Sequence, residues 1–175
     1  SRALESVCQN FDVIVAGDGE VSCFQALEVD GIIDGAFRAS PSFLSSEDLE
    51  KTPWPARELV DVASYRYSID GSPALSLIAQ LGCPFGCGFC AGRHSPSLRH
   101  IRMRSADTVV AEMRHMADTY GVRGFMFYDD ELNVNRGLVD LMEKIAAVGA
   151  DWRLRGFIKA ELFTDEHAAA MRRAG

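Results

Sequence analysis

The sequence predicts an α/β chain built on a partial (β/α) barrel. Three observations carry this: strand-like apolar runs alternate with helical ones, a glycine follows each helical run, and those glycines (Gly121, Gly149 and Gly175) recur at nearly constant spacing. Glycine after the last helical turn is the expected left-handed cap. The strand-like runs are residues 75–81, 124–128 and 152–158. The first helix is expected to start from Ser105 as N-cap and to bury Val109, Val110, Met113, Met116 and Tyr120. The second buries Leu138, Leu141, Met142 and Ile145. The third opens at Thr164, with Asp165 and Glu166 in the first turn, where the helix dipole favours negative charge. Strands and helices alternating at this length imply parallel βαβ units with right-handed crossovers. Three such units are a fraction of an eight-unit barrel. The chain is therefore expected to be a central piece of a longer protein, poorly soluble alone, with sequence missing at both ends.

Upstream, residues 11–16 form a short β-prone run that ends at Gly17-Asp18-Gly19-Glu20, and Val21, Phe24 and Leu27 follow at helical spacing. As a dinucleotide fingerprint the turn is weak, because Cys23 stands where a third glycine belongs and no βαβ unit precedes it. By spacing alone it is a turn. Between residues 30 and 73 periodicity fades: Pro41, Pro53, Pro55 and Pro73 punctuate the segment, and Ser40, Ser42, Ser45 and Ser46 add turn chemistry. The expected organisation is an N-terminal piece over 1–30, a linker over 31–73 and the barrel portion over 74–175.

Composition limits the function classes. Of the 175 residues 47% are hydrophobic and 25% charged, a globular balance. The net charge of −7 argues against a surface given over to nucleic-acid phosphates. No apolar run approaches the ~20 residues of a membrane span, and the first residues are not those of a signal segment. A soluble, cytoplasmic protein is expected. Three of the five cysteines fall within one short loop, which suits metal binding in a reducing compartment better than a disulfide framework. Cys8 and Cys23 read as small buried hydrophobes.

The loop is Gly82-Cys83-Pro84-Phe85-Gly86-Cys87-Gly88-Phe89-Cys90, directly after the first barrel strand. Three thiolates on a tight glycine-rich loop suit three corners of a four-iron cluster, which ordinarily takes four cysteines. One iron is then left open for a ligand, by the logic that separates catalytic from structural metal sites. A structural zinc competes, since His94 extends the series to Cys-x3-Cys-x2-Cys-x3-His. At the end of the second strand stand Asp129, Asp130 and Glu131, whose mutual repulsion is costly unless a cation or ligand is present. The alternative is a solvated acidic turn that caps the following helix. Arg153 and Arg155 share one face of the third strand. Either is a candidate for a cofactor carboxylate or a plain surface arginine. Arg93, His94, Arg99, His100, Arg102 and Arg104 make a locally basic stretch, read as a solvated loop with an anion-binding role as the alternative.

Cys83-x3-Cys87-x2-Cys90, with Phe89 before the last cysteine, resembles the signature of the radical S-adenosylmethionine superfamily. The resemblance implies a 4Fe-4S cluster on Cys83, Cys87 and Cys90 that reductively cleaves S-adenosylmethionine to give a 5'-deoxyadenosyl radical. It implies S-adenosylmethionine contacts from Phe89, Asp129, Asp130, Glu131 and Arg155. Tyr128-Asp129-Asp130-Glu131, followed by Asn133 and Asn135, is similar to cobalamin-dependent members. Residues 13–20 resemble the last strand and glycine turn of a Rossmann-like cobalamin-binding domain, which makes 1–30 its C-terminal tail and Gly17, Gly19 and Glu20 cobalamin contacts. The family's Asp-x-His-x-x-Gly cobalamin motif has no counterpart: no histidine precedes His94, and Asp165-x-His167 has Ala170 in place of glycine. The implied activity is that of a cobalamin-dependent C-methyltransferase, with a radical cyclase or rearrangement enzyme as the alternative. A non-catalytic zinc or iron-sulfur binding module is the rival from another class. The implied partners are a small-molecule or peptide substrate and an electron donor such as flavodoxin or ferredoxin, with neither membrane nor nucleic acid.

Overall fold

The structure is a computed structural model that describes residues 10–175. Cys8 lies outside them. The chain divides into two compact units that interleave along the sequence. One comprises Ser1–Thr52 with Gly82–Arg102, the other Pro53–Leu81 with Met103–Gly175.

In the first unit, β1 (Val13–Ala16) and β2 (Gly31–Asp34) pair in parallel, in register from Val13 opposite Gly31 to Ala16 opposite Asp34. The helix α1 (Gly19–Gln25) lies between them in sequence. A complete βαβ unit thus stands where one strand and one helix were expected, its second strand drawn from a segment read as irregular. The four-residue Gly-Ile-Ile-Asp run is too short to announce itself by alternation. The pairing is flanked at both ends by hydrogen bonds of 2.8 Å, from Gly31 N–H to Asp12 O and from Gly35 N–H to Ala16 O. A Cβ on Gly17, whose φ is 101°, would stand 2.6 Å from the carbonyl carbon of Gly35, so this close approach requires glycine. The short helix α2 (Ser46–Lys51) opens with a capping box in which Ser45 Oγ accepts from Asp48 N–H and the Asp48 carboxylate accepts from Ser45 N–H. Ile33, Phe43, Leu44 and Leu49 are buried, whereas Cys23, Phe24 and Leu27 of α1 and its following turn are exposed. Cys23 is therefore not the buried hydrophobe its sequence setting suggested.

The second unit is the first part of a (β/α) barrel. Its sheet runs β3 (Ser68–Ile69), β4 (Ser72–Leu77), β5 (Gly124–Phe127), β6 (Arg153–Gly156), antiparallel at the first pair and parallel thereafter. The helices α3 (Ala106–Tyr120), α4 (Leu138–Ala147) and α5 (Asp165–Ala174) follow the parallel strands in turn. Ser105 and Thr164 cap α3 and α5 as expected, each side chain accepting from the backbone N–H three residues on. Gly121, Gly149 and Gly175 all take positive φ. Phe125 and Phe127 point to the helices and join Val109, Met113, Met116, Leu138, Met142 and Ile145 in the main core. Tyr120 is only partly buried against it. The intervening Met126 lies on the opposite face with Ile69 and Ala74, as the period of two requires. The parallel register sets Met126 beside Arg155 on that face.

The first barrel strand departs from expectation. Read as 75–81, it forms Ser72–Leu77 and is interrupted before Gln80–Leu81. The interruption has a partner: the N–H groups of Ala79 and Gln80 both donate to one side-chain oxygen, Asp129 Oδ1, instead of to a neighbouring strand. Among the described residues no helix is long and apolar enough to cross a membrane.

Candidate active site

The cysteine loop belongs to the first unit and is pinned at its base. Gly82 has φ 98°, and a Cβ there would collide with the carbonyl oxygen of His100. Next to it, Cys83 N–H donates to Leu98 O at 2.7 Å. Within the loop, Cys90 N–H closes a turn on Cys87 O at 3.1 Å. Cys83, Cys87 and Cys90 are half-buried free thiols. The loop is open around them: a Cβ on Gly86 would meet nothing within 4 Å, and one on Gly88 only Arg93 Nη1 at 3.9 Å. Phe89 is 95% exposed, an apolar ring with no protein surface against it.

The zinc alternative asks His94 to join the thiols. Instead its Nε2 accepts from Arg93 Nε at 2.9 Å. Among the described residues no three His, Cys, Asp or Glu side chains are arranged to hold a single metal ion. A four-iron cluster makes a different demand, because its own irons and sulfides span the space between thiolates, which need not converge on one point.

The glycine turn lies in the same unit. Gly17, Gly19 and Glu20 are all exposed, and Gly17 also approaches the Gly35 backbone too closely for a side chain. Asp18 forms an ion pair with Arg102. Arg102 is buried, not part of a solvated loop as its basic neighbours suggested.

In the second unit the three acids separate into three environments. Asp129 is 1% exposed, with Oδ1 accepting from Ala79 N–H at 2.8 Å and Gln80 N–H at 3.1 Å. Its Oδ2 is buried without a hydrogen-bond partner. Burial pushes the Asp129 carboxyl up to about 6, against the opposing pull of the Gln80 and Ala79 N–H groups. Asp130 is exposed. Glu131 is half-buried; its carbonyl accepts from Gln80 Nε2 at 2.7 Å, while its Oε2 is buried and unpartnered. Tyr128 and Phe157, both exposed at the ends of β5 and β6, meet edge to face with centroids 6.5 Å apart. Arg155 is exposed on the sheet face it shares with Met126. Arg153 pairs with Asp151 at 2.5 Å. Asn133 is occupied in a reciprocal pair with the Lys159 backbone, and Asn135 Oδ1 accepts from Gly137 N–H.

Sequence reasoning missed a charge triad centred on the buried Glu112. Glu112, 1% exposed, takes Arg57 on Oε1 at 2.9 Å and Arg104 on Oε2 at 2.6 Å. Each arginine also reaches a carbonyl of the β4 chain, Arg57 to Ser76 O at 2.9 Å and Arg104 to Ile78 O at 2.8 Å. The signal was present: Glu112 falls within the apolar stripe Val109, Met113, Met116 of α3, a place for an acid only if it is paired.

The Radical SAM superfamily matches residues 77–175, more than half of the chain. The chain belongs to the radical SAM superfamily. An uncharacterized methyltransferase of Pyrococcus horikoshii is 25% identical over 182 residues, which cover 96% of this chain and 39% of the relative. The anaerobic magnesium-protoporphyrin IX monomethyl ester cyclase of Cereibacter sphaeroides is 27% identical over 154 residues, 79% of this chain and 25% of the relative. Among solved structures, the radical S-adenosylmethionine methyltransferase TsrM from Kitasatospora setae, with cobalamin and a 4Fe-4S cluster bound, aligns with a TM-score of 0.53 at 21% identity. That alignment covers 59% of this chain and 21% of TsrM, and it shows a shared fold. The chain thus spans well under half the length of the proteins it matches.

Proposed function

We propose that this chain is the cluster-bearing part of a cobalamin-dependent radical S-adenosylmethionine methyltransferase that acts on an unactivated carbon. The observation that carries the reading is three free thiols on one loop pinned at its base, one fewer than a four-iron cluster ordinarily takes. Cys83, Cys87 and Cys90 would hold the cluster, and the open surroundings of Gly86 and Gly88 leave room for it. When bound and reduced, such a cluster supplies the electron for cleavage of a sulfonium C–S bond.

The residues available to S-adenosylmethionine have complementary chemistry. The unpartnered Glu131 Oε2 and the exposed Asp130 offer negative charge to its ammonium group, and Arg155 offers a cation to its carboxylate. In the same unit, Tyr128 with Phe157 offers aromatic surface. Gly17, Gly19 and Glu20 are exposed at the glycine turn and would face cobalamin, with residues 1–30 as the tail of its domain.

Methylation is favoured because the Pyrococcus relative and TsrM are both named methyltransferases. The Cereibacter cyclase supports ring formation as the second reading. The substrate in either case is a small molecule or peptide, and the electron donor a flavodoxin or ferredoxin. The reducing cytoplasm, where thiols stay free, is the matching compartment.

Anaerobic reconstitution with iron and sulfide tests the reading. The expected result is a brown protein with about four irons per chain. Its visible absorption should disappear in Cys83→Ala, Cys87→Ala and Cys90→Ala. Addition of S-adenosylmethionine and a strong reductant to an extended chain should yield 5'-deoxyadenosine or a methylated product. A colourless protein that takes up zinc in preference to iron would overturn the assignment.

A further inference from the structure

Arg102 is an arginine that the sequence gives no reason to bury, yet it is 3% exposed. Its Nη1 pairs with the carboxylate of Asp18, between the two glycines of the turn at residues 17–19. Its Nε donates to the carbonyl of His100 at 3.2 Å. The guanidinium lies over the Phe43 ring, 5.3 Å from its centroid, and Phe43 in turn meets the His100 ring edge to face at 5.5 Å. The His100 carbonyl is also the group against which Gly82 is packed so closely that no side chain fits. Cys83 follows, held by its own N–H to Leu98 O.

These contacts form one continuous path inside the first unit, from the glycine turn through Asp18, Arg102 and the His100 carbonyl to Gly82 and Cys83. A buried ion pair costs desolvation that its attraction only partly returns, so it is weak evidence of a stabilising role. Its planar, multi-donor geometry does fix position, since Arg102 presents one nitrogen to Asp18 and another to His100 at a set angle.

We infer that Arg102 is a positioning residue: paired with Asp18, it locks the glycine turn to the base of the cysteine loop and so fixes where Cys83 presents its thiol. The inference rests on the assignment of Cys83 as a cluster ligand. Arg102 touches neither cluster nor substrate and acts through the backbone of residues 82–83 and 100. Disturbing Asp18 should therefore be felt at the cysteine loop.

The experiment compares the reconstituted full chain with Arg102→Met, Arg102→Lys, Asp18→Asn and the Arg102→Met/Asp18→Asn double variant. Three quantities are read: the rate at which an iron chelator bleaches the cluster absorption, the electron paramagnetic resonance line shape of the reduced cluster, and the melting temperature of the iron-free protein. Arg102→Met and Asp18→Asn should each bleach about tenfold faster, the range found when residues supporting metal ligands are removed. Arg102→Lys, which keeps the charge and loses the second nitrogen contact, should fall between them and the wild type. The double variant should bleach no faster than Arg102→Met alone, because one path cannot be broken twice. Wild-type bleaching and line shape in Asp18→Asn and Arg102→Lys would overturn the inference, as would multiplied effects in the double variant. A lowered melting temperature with unchanged bleaching would reduce Arg102 to a structural residue and overturn it as well. If Arg102→Met does not fold, the other two single variants decide. A wild-type chain that takes up no iron identifies a different failure, that of the ligand assignment, and the inference falls with it.

Discussion

Asp129 stands in for a β-strand at Gln80: its Oδ1 accepts the Gln80 backbone N–H at 3.1 Å and that of Ala79 at 2.8 Å, at the point where β4 loses its ladder. In return, Gln80 sends its side-chain amide to the carbonyl of Glu131 at 2.7 Å. The end of β4 and the acidic run after β5 are thereby fastened by side chains from both sides. The residue that does the fastening is one the sequence offered as a cofactor ligand.

A pH signature follows. Asp129 titrates at about 6 in the folded chain against an ordinary 3.8, so the folded state binds its proton more tightly than the unfolded state does. Its contribution is fully present below about pH 3.8 and is lost as pH rises through 6, a difference worth about 3 kcal/mol. Asp129→Asn keeps an acceptor for the two N–H groups and cannot ionise. Urea unfolding of both iron-free proteins from pH 4 to 7 should show the variant gaining on the wild type across that window. A constant difference between them would remove Asp129 as the titrating group.

The acids should divide in binding as they divide in burial. With iron content held equal, Asp130→Asn or Glu131→Gln is expected to weaken S-adenosylmethionine affinity by the loss of a charge-assisted contact, about tenfold. Asp129→Asn should affect it only through the shape of the β4 end. Equilibrium binding measured on the three variants decides, and unchanged affinity in all of them would make the run a helix cap.

The Arg57–Glu112–Arg104 triad should respond asymmetrically. Glu112→Ala leaves two largely covered guanidinium groups without their acid and is expected to cost about 2–3 kcal/mol in chemical unfolding. Replacing all three residues with apolar side chains of similar volume should cost much less, because no charge is then left buried and unpaired. Equal losses in the two proteins would contradict that account.

Two glycines of the cysteine loop should behave differently under the same substitution. Gly82→Ala places a Cβ against the His100 carbonyl in a left-handed conformation and is expected to lose about 2 kcal/mol or more, with poor iron uptake. Gly86→Ala enters open space and should stay within about 0.5 kcal/mol of the wild type. Melting curves and iron content on the two variants provide the check.

Local pattern made the barrel portion legible. The helices α3 and α4 announced their buried faces by spacing, and Ser105, Thr164 and the three glycines marked helix ends, because caps and amphipathic stripes are set by residues a few positions apart. The cysteine loop was legible for the same reason, since its chemistry lies within eight consecutive positions. What the sequence could not settle was every feature made by residues far apart along the chain: the pairing of β2 with β1, the interruption of β4 by a carboxylate 50 positions away, and the ion pair of Arg102 with Asp18 across 84. A run of arginines and histidines reads the same whether it is solvated or buried, and three consecutive acids read as one cluster. Only the tertiary structure supplies or withholds the partner that decides burial, because the cost of burying a charge depends on what is brought to meet it.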